Sequence, residues 1–237
     1  AGGTNYRTAL VSFEESGFRL EKLERSQMPG TTKPAEWQEF IARTADGIEP
    51  LLSQTDLIGF CFSYPAEVTP DIDSRVLSLT KQVKLIGAEG RLLGADLNVE
   101  LERRGLGKKK IVVLNDTPAT LLGGSALPDK EKYGGFIGMV AGTGVNTCCR
   151  LPEEKIGKLC SVSSEKMLIN LESGSFDGFP RGDFDLELDS ASNNPGDKQM
   201  EKITAGVYLG QLCRLMLRAA ADEGMLSVGG TEKVRAL

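Results

Sequence analysis

Apolar residues along the chain follow two patterns, short β-prone runs and longer stretches with helical spacing. Residues 6–13 alternate and are β-prone, which predicts the opening strand of a β-hairpin within residues 1–24. Residues 34–52 carry apolar side chains at the spacing of one helix face. Pro34 suits the first turn of that helix, and Pro50 is placed to end or kink it.

The two patterns continue to alternate towards the end of the chain. Short apolar runs predict buried strands at residues 57–62, 110–114 and 135–140. Helical spacing predicts helices at residues 92–104 and 197–223, the second with one apolar side formed by Ile203, Val207, Leu212, Met216 and Ala219. Alternating strands and helices favour α/β layers over an all-α or all-β fold. A Gly- and Lys-rich segment at residues 105–112 is the predicted domain boundary.

Composition excludes several classes of function. The chain has 237 residues, a formal charge of -5 and a pI near 5.1, without the clustered positive charge of a nucleic-acid-binding protein. Its one basic cluster, Arg103 to Lys110, flanks a predicted helix end, where it complements the helix dipole. No apolar run approaches the roughly 20 residues that a membrane span needs, and no signal peptide is visible.

Cysteine and histidine usage narrows the chemistry further. The five cysteines are scattered and form no CxxC pair, which predicts reduced, buried thiols in a cytoplasmic protein. The chain contains no histidine, so Ser-His-Asp hydrolysis, Cys-His proteolysis and His-based zinc sites are excluded. Proton transfer near neutral pH must then be carried out by carboxylates, Lys, Tyr or Cys, and the carboxylates are the first candidates.

Three polar segments could carry chemistry, and each has an ordinary structural alternative. Asp116 follows the predicted strand at residues 110–114, where it serves either as a helix N-cap or as a ligand-binding carboxylate. The glycine-rich segments at residues 2–5 and 142–146 are either hairpin turns or phosphate-binding loops. Neither is a Walker A loop, because no Gly-Lys-Ser/Thr follows.

Seven motifs in a fixed order resemble those of the hexokinase family. They are Gly-Gly-Thr-Asn-Tyr-Arg (2–7), Phe-Ser-Tyr-Pro (62–65), Leu-Thr-Lys (79–81), Asn-Asp-Thr (115–117), Gly-Thr-Gly-x-Asn (142–146), Ile-Asn-Leu-Glu (169–172) and Asn-Pro-Gly-x-x-x-x-Glu-Lys (194–202). The likeness runs through essentially the whole chain and is to the eukaryotic hexokinase and glucokinase branch. The bacterial repressor-kinase group does not fit, because its zinc motif requires a histidine.

The resemblance implies an α/β fold of the actin-like ATPase (ribonuclease H-like) type, with mixed sheets and two lobes closing over a cleft. It predicts a small domain at residues 1–110 and part of a large domain at residues 111–237. It also implies a hexose site whose hydroxyls are bound by eight side chains, Ser63, Thr80, Lys81, Asn115, Asp116, Asn146, Glu172 and Glu201. Carboxylates and amides suit such a site, since each sugar hydroxyl both donates and accepts hydrogen bonds.

The same resemblance implies ATP as co-substrate, bound with Mg²⁺. Gly2, Gly3, Thr4 and Asn5 match the first phosphate loop of the family, and Gly142, Thr143 and Gly144 match the second. Asp116 would accept the proton of the attacking hydroxyl, and Lys81 would offset charge near the transferred phosphoryl group. The predicted function is therefore an ATP-dependent hexokinase acting on a hexose such as glucose, with no nucleic-acid or membrane partner.

The chain departs from the family pattern in three places. The first phosphate loop of the family begins with an Asp two places before its paired glycines, and this chain starts one residue too late to show it. The family also continues well past Leu237, so we expect this chain to be part of a longer kinase. Ser173 stands where Trp is usual and Ser190 where an acidic residue is common, which leaves the preferred hexose open.

Two other functions compete with an active kinase. A non-catalytic, hexose-sensing regulator would keep the sugar-binding residues without turnover, but Asp116, Lys81 and Thr143 are intact. An actin-like ATPase that binds no sugar would leave the predicted sugar-binding side chains without a role. The active kinase accounts for more of the residues than either alternative.

Overall fold

The computed structural model describes residues 5–14, 17–79, 83–127, 130–158 and 165–236. Five of the predicted site residues lie outside the described residues, namely Gly2, Gly3, Thr4, Thr80 and Lys81. The chain divides into two compact units, Ala1–Gly134 and Gly135–Leu237. Each unit mixes strands and helices, which agrees with the predicted α/β class.

The first unit contains eight short strands and three helices among its described residues. The strands are β1 Asn5–Glu14, β2 Gly17–Gln27, β3 Ala35–Glu36, β4 Leu57–Cys61, β5 Ala66–Val68, β6 Ser74–Val76, β7 Leu85–Ile86 and β8 Lys110–Leu114. The helices are α1 Trp37–Ile48, α2 Leu93–Arg103 and α3 Asp116–Ser125. The predicted N-terminal hairpin is confirmed, since β1 and β2 pair antiparallel.

Helix α1 begins three residues later than the sequence predicted. Ala35 and Glu36 form β3, which pairs in parallel with β7, so Pro34 lies outside the helix. The predicted effect of Pro50 is confirmed, because α1 ends at Ile48 and a 3₁₀ turn containing Pro50 follows. The helical spacing was therefore correctly identified, and the pairing with a distant strand moved its start.

The core of the first unit lies between α1, α2 and the parallel pair β4–β8. Side chains with essentially no exposure fill it, among them Phe40, Ile41, Leu93, Leu97, Leu101 and Val113. The three leucines of α2 recur every four residues and so share one helix face. Burial of each such side chain contributes about 1.5–3 kcal/mol to folding. Phe60 of β4 and Val113 of β8 belong to this core, so the packing holds the two strands in place.

The N-terminus of α2 is held by a carboxylate that is distant in sequence. Asp73 accepts the backbone amides of Gly94 at 2.7 Å and Ala95 at 2.9 Å. These are orphan donors of the first helical turn, so a carboxylate there satisfies them and complements the helix dipole.

Two of the predicted strands are less buried than expected. Leu57 of β4 is 66% exposed, and Phe60 is the buried member of that strand. In the second unit, Ile137 is 75% exposed and Met139 57% exposed on a strand predicted to be buried. The apolar runs predicted the strands correctly but not their burial, because the described residues cover one face of each.

The second unit consists of a three-stranded antiparallel sheet and four helices among its described residues. The strands are β9 Ile137–Ala141, β10 Val145–Pro152 and β11 Lys166–Asn170, with β10 in the centre. The helices are α4 Asp183–Ser190, α5 Gln199–Thr204, α6 Gly206–Asp222 and α7 Val228–Arg235.

The long helix predicted at residues 197–223 is wrong in one respect, because it is two helices. Ala205 is extended, with φ -86° and ψ 144°, and separates α5 from α6. The break lets the Gly206 amide donate to the Gly142 carbonyl at 2.8 Å, while Ala205 itself is fully buried. A contact with a loop distant in sequence thus outweighs continued helical spacing. The expected apolar side is also more open than predicted, with Val207 and Met216 about half exposed.

The division between the two compact units falls between Gly134 and Gly135 in the chain. The sequence placed the domain boundary at residue 110. The reason is the β4–β8 pairing, which joins residues 110–114 to the first unit. The division of residues 1–110 and 111–237 into small and large domains of the family fold stays a prediction.

Candidate active site

Polar residues meet where the parallel strands β4 and β8 end. Cys61 and Leu114 are register partners at the carboxyl ends of these strands, and the Phe62 amide donates to the Leu114 carbonyl at 2.8 Å. Ser63 lies two residues after the end of β4, and Asn115 and Asp116 directly follow β8. The carboxyl edge of parallel strands is the usual ligand-binding edge of α/β folds. Three sequence-predicted site residues are thus brought to one place.

The structure shows which residue caps the N-terminus of α3 at this edge. Asn115 is the N-cap of α3, and its side-chain oxygen accepts the Thr117 amide at 3.2 Å. Asp116 occupies the first helical position instead, half-buried, with its carboxylate accepting the Thr117 hydroxyl at 3.2 Å. The alternative in which Asp116 is only a helix cap is therefore wrong. Asn115 performs that role and leaves the Asp116 carboxylate available to a ligand.

The Cys61 thiol at the end of β4 is only partly buried, and Cys213 is exposed, so the prediction of buried cysteines is wrong for these two. Burial raises the pKa of the Cys61 thiol, and the neighbouring Asp116 carboxylate raises it further. A hydrogen bond with the Ser63 side chain acts in the opposite direction and lowers this pKa. Ser63 and Asp116 therefore both influence the electrostatics of this one thiol at the end of β4.

Replacing Asn115 with alanine is expected to lower the free energy of unfolding by about 1 kcal/mol, because the Thr117 amide loses its capping acceptor. Chemical denaturation measures this change. Asn115→Asp is the matched control, since aspartate keeps a capping oxygen and should remain close to wild type. An equal loss in both variants would contradict the capping role.

In the second unit, Glu172 collects three hydrogen-bond donors. Its Oε1 accepts the side-chain amides of Asn146 at 3.1 Å and Asn170 at 2.9 Å. Its Oε2 accepts the ammonium of Lys198 at 2.9 Å. The sequence predicted Glu172 and Asn146 as site residues, and they are in direct contact. Asn170 and Lys198 lie within the same motifs, but nothing in the sequence pattern distinguished them.

Glu201 lies on α5 and reaches the loop before β10. Its Oε2 accepts the Val145 amide at 3.0 Å. A Cβ at Gly144 would lie 2.6 Å from that oxygen, and a Cβ at Gly174 would lie 2.7 Å from the Val145 carbonyl. Gly174 is therefore required where the backbone of β10 approaches it, whereas a side chain at Gly144 would force the Glu201 carboxylate to move. The carboxylate is held against the backbone that carries Asn146.

A buried ion pair, which the sequence pattern does not predict, anchors the segment that carries these residues. Lys202 is 1% exposed, and its ammonium donates to Asp189 at 2.5 Å and to the Asn194 carbonyl at 2.7 Å. The hydrogen bond from Lys202 holds the pKa of Asp189 below its usual value. Asp189 also accepts the Gly196 amide at 3.1 Å. The apolar pattern of α4 gave no indication that a carboxylate there would be buried.

The second glycine loop, Gly142 to Gly144, joins β9 to β10 within the second unit. Thr143 is exposed on the loop, and the Gly142 amide donates to the Gly144 carbonyl at 2.9 Å. The break at Ala205 places the N-terminus of the 17-residue helix α6 against this loop, through the Gly206 amide. A helix N-terminus beside a glycine loop is a favourable environment for phosphate oxygens.

The predicted site residues thus fall into two described groups, each within one unit. The first group comprises Ser63, Asn115 and Asp116, and the second comprises Asn146, Glu172, Glu201 and the loop of Gly142, Thr143 and Gly144. Asn5 is described as the first residue of β1. Across the described part of the chain, no cluster of three or more His, Cys, Asp or Glu side chains could hold a metal ion. None of the described helices is long and apolar enough to cross a membrane.

Comparisons with known proteins agree with the motifs. Two family models, both described as hexokinase, match residues 1–126 and residues 136–236. The chloroplastic hexokinase-4 of Oryza sativa subsp. japonica is 32% identical over 238 residues, 93% of this chain and 46% of that protein. The hexokinase-like 1 protein of Arabidopsis thaliana is 34% identical over 234 residues, 91% of this chain and 46% of that protein.

Among solved structures, a hexokinase from Schistosoma mansoni complexed with glucose matches with a TM-score of 0.68 and 27% identity. The match covers 95% of this chain and 52% of that chain. The chain therefore spans about half the length of the relatives and the solved structure that it matches.

Proposed function

Since this chain belongs to the hexokinase family, we propose that the protein transfers the terminal phosphate of ATP to the 6-hydroxyl of a hexose such as glucose. The observation that carries the proposal is the set of polar residues at the carboxyl ends of β4 and β8. There Asn115 caps α3, and the carboxylate of Asp116 follows β8 at the point where its partner strand β4 ends before Ser63. A carboxylate is the expected proton acceptor in a chain without histidine.

The hexose is held through its hydroxyls by carboxylates, amides and a hydroxyl. The proposed ligands among the described residues are Ser63, Asn115, Asp116, Asn146, Glu172 and Glu201. Thr80 and Lys81 are proposed on the family resemblance alone. A site whose buried polar groups pair with hydroxyls discriminates against sugars that lack one, because the unpaired partner is costly. The closure of two lobes over a cleft is also part of this proposal, supported by the resemblance.

ATP binds through its phosphates to the two glycine loops. The second loop fits this role, because Thr143 is exposed and the N-terminus of α6 abuts the loop. Gly2, Gly3, Thr4 and Asn5 form the first loop in the proposal. Mg²⁺ bound to ATP would neutralise part of the charge of the phosphate oxygens.

The reaction is an in-line displacement in which Asp116 acts as the general base. The 6-hydroxyl oxygen of the hexose attacks the terminal phosphorus of ATP, the bond to the bridging oxygen breaks, and ADP leaves. Asp116 orients the hydroxyl and accepts its proton late in the transfer. Lys81 offsets the charge near the moving phosphoryl group. Exclusion of water from the closed site prevents hydrolysis of ATP.

The proposal is tested by ADP release from the full-length protein in a coupled assay with glucose, mannose and fructose. Sugar-dependent ADP release supports it. Glucose binding by calorimetry without any ADP release would instead support the non-catalytic, hexose-sensing regulator. The cytoplasmic location stays part of the proposal, supported by the scattered cysteines.

Replacing Gly144 with alanine is expected to raise the hexose KM about tenfold, because the new Cβ displaces the Glu201 carboxylate from the Val145 amide. Steady-state kinetics with varied hexose measures the change. Gly210→Ala in α6 is the control, since no atom lies within 4 Å of a Cβ there. An unchanged hexose KM in Gly144→Ala would argue against the proposed role of Glu201.

A further inference from the structure

Lys198 makes a contact that the proposed mechanism does not use. Its ammonium lies 2.9 Å from Glu172 Oε2, whose other oxygen already accepts the amides of Asn146 and Asn170. Glu172 is a proposed hexose ligand, so the ammonium stands beside an oxygen that a sugar hydroxyl would approach. Lys198 also precedes Glu201, a second proposed ligand, by three residues on the same turn of chain.

Both partners of this ion pair have unusual backbone conformations. Glu172 has φ 51° and ψ 42°, and Lys198 has φ 51° and ψ 43°. Among the described residues, positive φ at non-glycine positions occurs at Lys22, Ile72, Glu172 and Lys198. Left-handed conformations are unfavourable at such residues and cluster at ligand-binding sites. Two of these positions belong to one ion pair, which the surrounding structure must hold in place.

The buried ion pair supplies that support. The Lys202 amide donates to the Lys198 carbonyl at 3.0 Å in the first turn of α5. The Lys202 side chain is fixed to Asp189, which also holds the Gly196 amide two residues before Lys198. The Met200 amide donates to the Phe176 carbonyl at 3.0 Å, which ties α5 to the segment after Glu172. Lys198 is thus partly exposed but carried on an anchored backbone.

The charges of Glu172, Glu201 and Lys198 indicate which sugars this arrangement favours. Glu172 and Glu201 would together present two negative charges to the sugar, and such a site attracts cations. Lys198 offsets one of these charges and leaves its remaining N–H groups to donate to a hydroxyl oxygen. An ammonium paired with a carboxylate offers a sugar hydroxyl both a donor and an acceptor. A protonated amino group on the sugar would instead face the ammonium and be repelled.

We propose that Lys198 is a specificity-determining residue of the hexose site, where it favours neutral hexoses over cationic amino hexoses. The inference rests on the proposed function of the same site.

The experiment compares glucose with 2-amino-2-deoxyglucose at a pH low enough to protonate the amine, using the full-length protein. The ratio of kcat/KM for the two sugars is measured in wild type, Lys198→Met and Lys198→Arg. In Lys198→Met we expect a shift of roughly three- to tenfold towards the amino hexose, with the ATP KM unchanged. Lys198→Arg should keep the wild-type preference. Lys166→Met, at an exposed lysine on β11, is the matched control.

An unchanged preference in Lys198→Met, or an equal shift in Lys166→Met, would overturn the inference. The same ratio is also measured from calorimetric Kd values, which separates this inference from the proposed function. Wild type that binds both sugars without releasing ADP overturns the proposed function, and the Kd ratio still decides the role of Lys198. Wild type that binds neither sugar overturns both.

Discussion

Replacing Asp116 with asparagine is expected to lower kcat for the proposed hexose phosphorylation by roughly a hundredfold or more, because the attacking hydroxyl loses its proposed proton acceptor. Asparagine keeps the size and planar shape of the side chain, so hexose binding should change little. The fold should survive, since a carboxylate in the first helical turn contributes only about 0.3–1 kcal/mol. The coupled ADP-release assay, with hexose and ATP varied separately, measures the effect.

The control for this variant is Asp71→Asn, which removes an exposed carboxylate from a turn of the same unit. It should leave kcat unchanged. Turnover in Asp116→Asn within a few-fold of wild type would contradict the assignment of Asp116 as the base. A fall in hexose affinity with unchanged kcat would show that Asp116 binds the sugar without transferring its proton.

Replacing Lys202 with methionine is expected to lower the free energy of unfolding by about 3–5 kcal/mol, because Asp189 is left buried without its partner. The Asn194 carbonyl loses its donor at the same time. Since typical domains are stable by about 5–15 kcal/mol, a loss of this size should be plain in thermal or urea denaturation.

The double variant Asp189→Leu/Lys202→Met separates an uncompensated charge from simple loss of packing. Replacing both partners by apolar side chains should recover most of the stability. Arg235→Met, which breaks the exposed pair with Asp222, should cost less than about 1 kcal/mol. A Lys202→Met variant as stable as Arg235→Met would show that the buried pair does not anchor this segment.

Much of the candidate site was predictable from local sequence. The run at residues 110–114 predicted a strand delivering Asn115 and Asp116 at its end, and the structure confirms that strand. The order of seven motifs predicted the hexokinase family, which the family models confirm. The strand end and each single motif are local features, because each depends on a few adjacent residues.

Other features of the site depend on residues far apart in sequence. The sequence left open whether Asp116 is a helix cap, and only the geometry at Thr117 assigns the cap to Asn115. The pairs of Lys198 with Glu172 and Lys202 with Asp189 join residues separated by 26 and 13 positions. No helical or strand periodicity predicts contacts of this kind, because they depend on how the elements pack.

The break between α5 and α6 also separates what the local sequence determines from what tertiary contacts determine. The sequence by itself determined the kinds of element, their approximate places and the chemistry available, a carboxylate without histidine and two glycine loops. The tertiary structure decided that Ala205 leaves the helix so that Gly206 can bond Gly142, which puts a helix N-terminus beside the second loop. Helical propensity is worth tenths of a kcal/mol per residue. Burial of Ala205 and a satisfied carbonyl in the tertiary fold outweigh it.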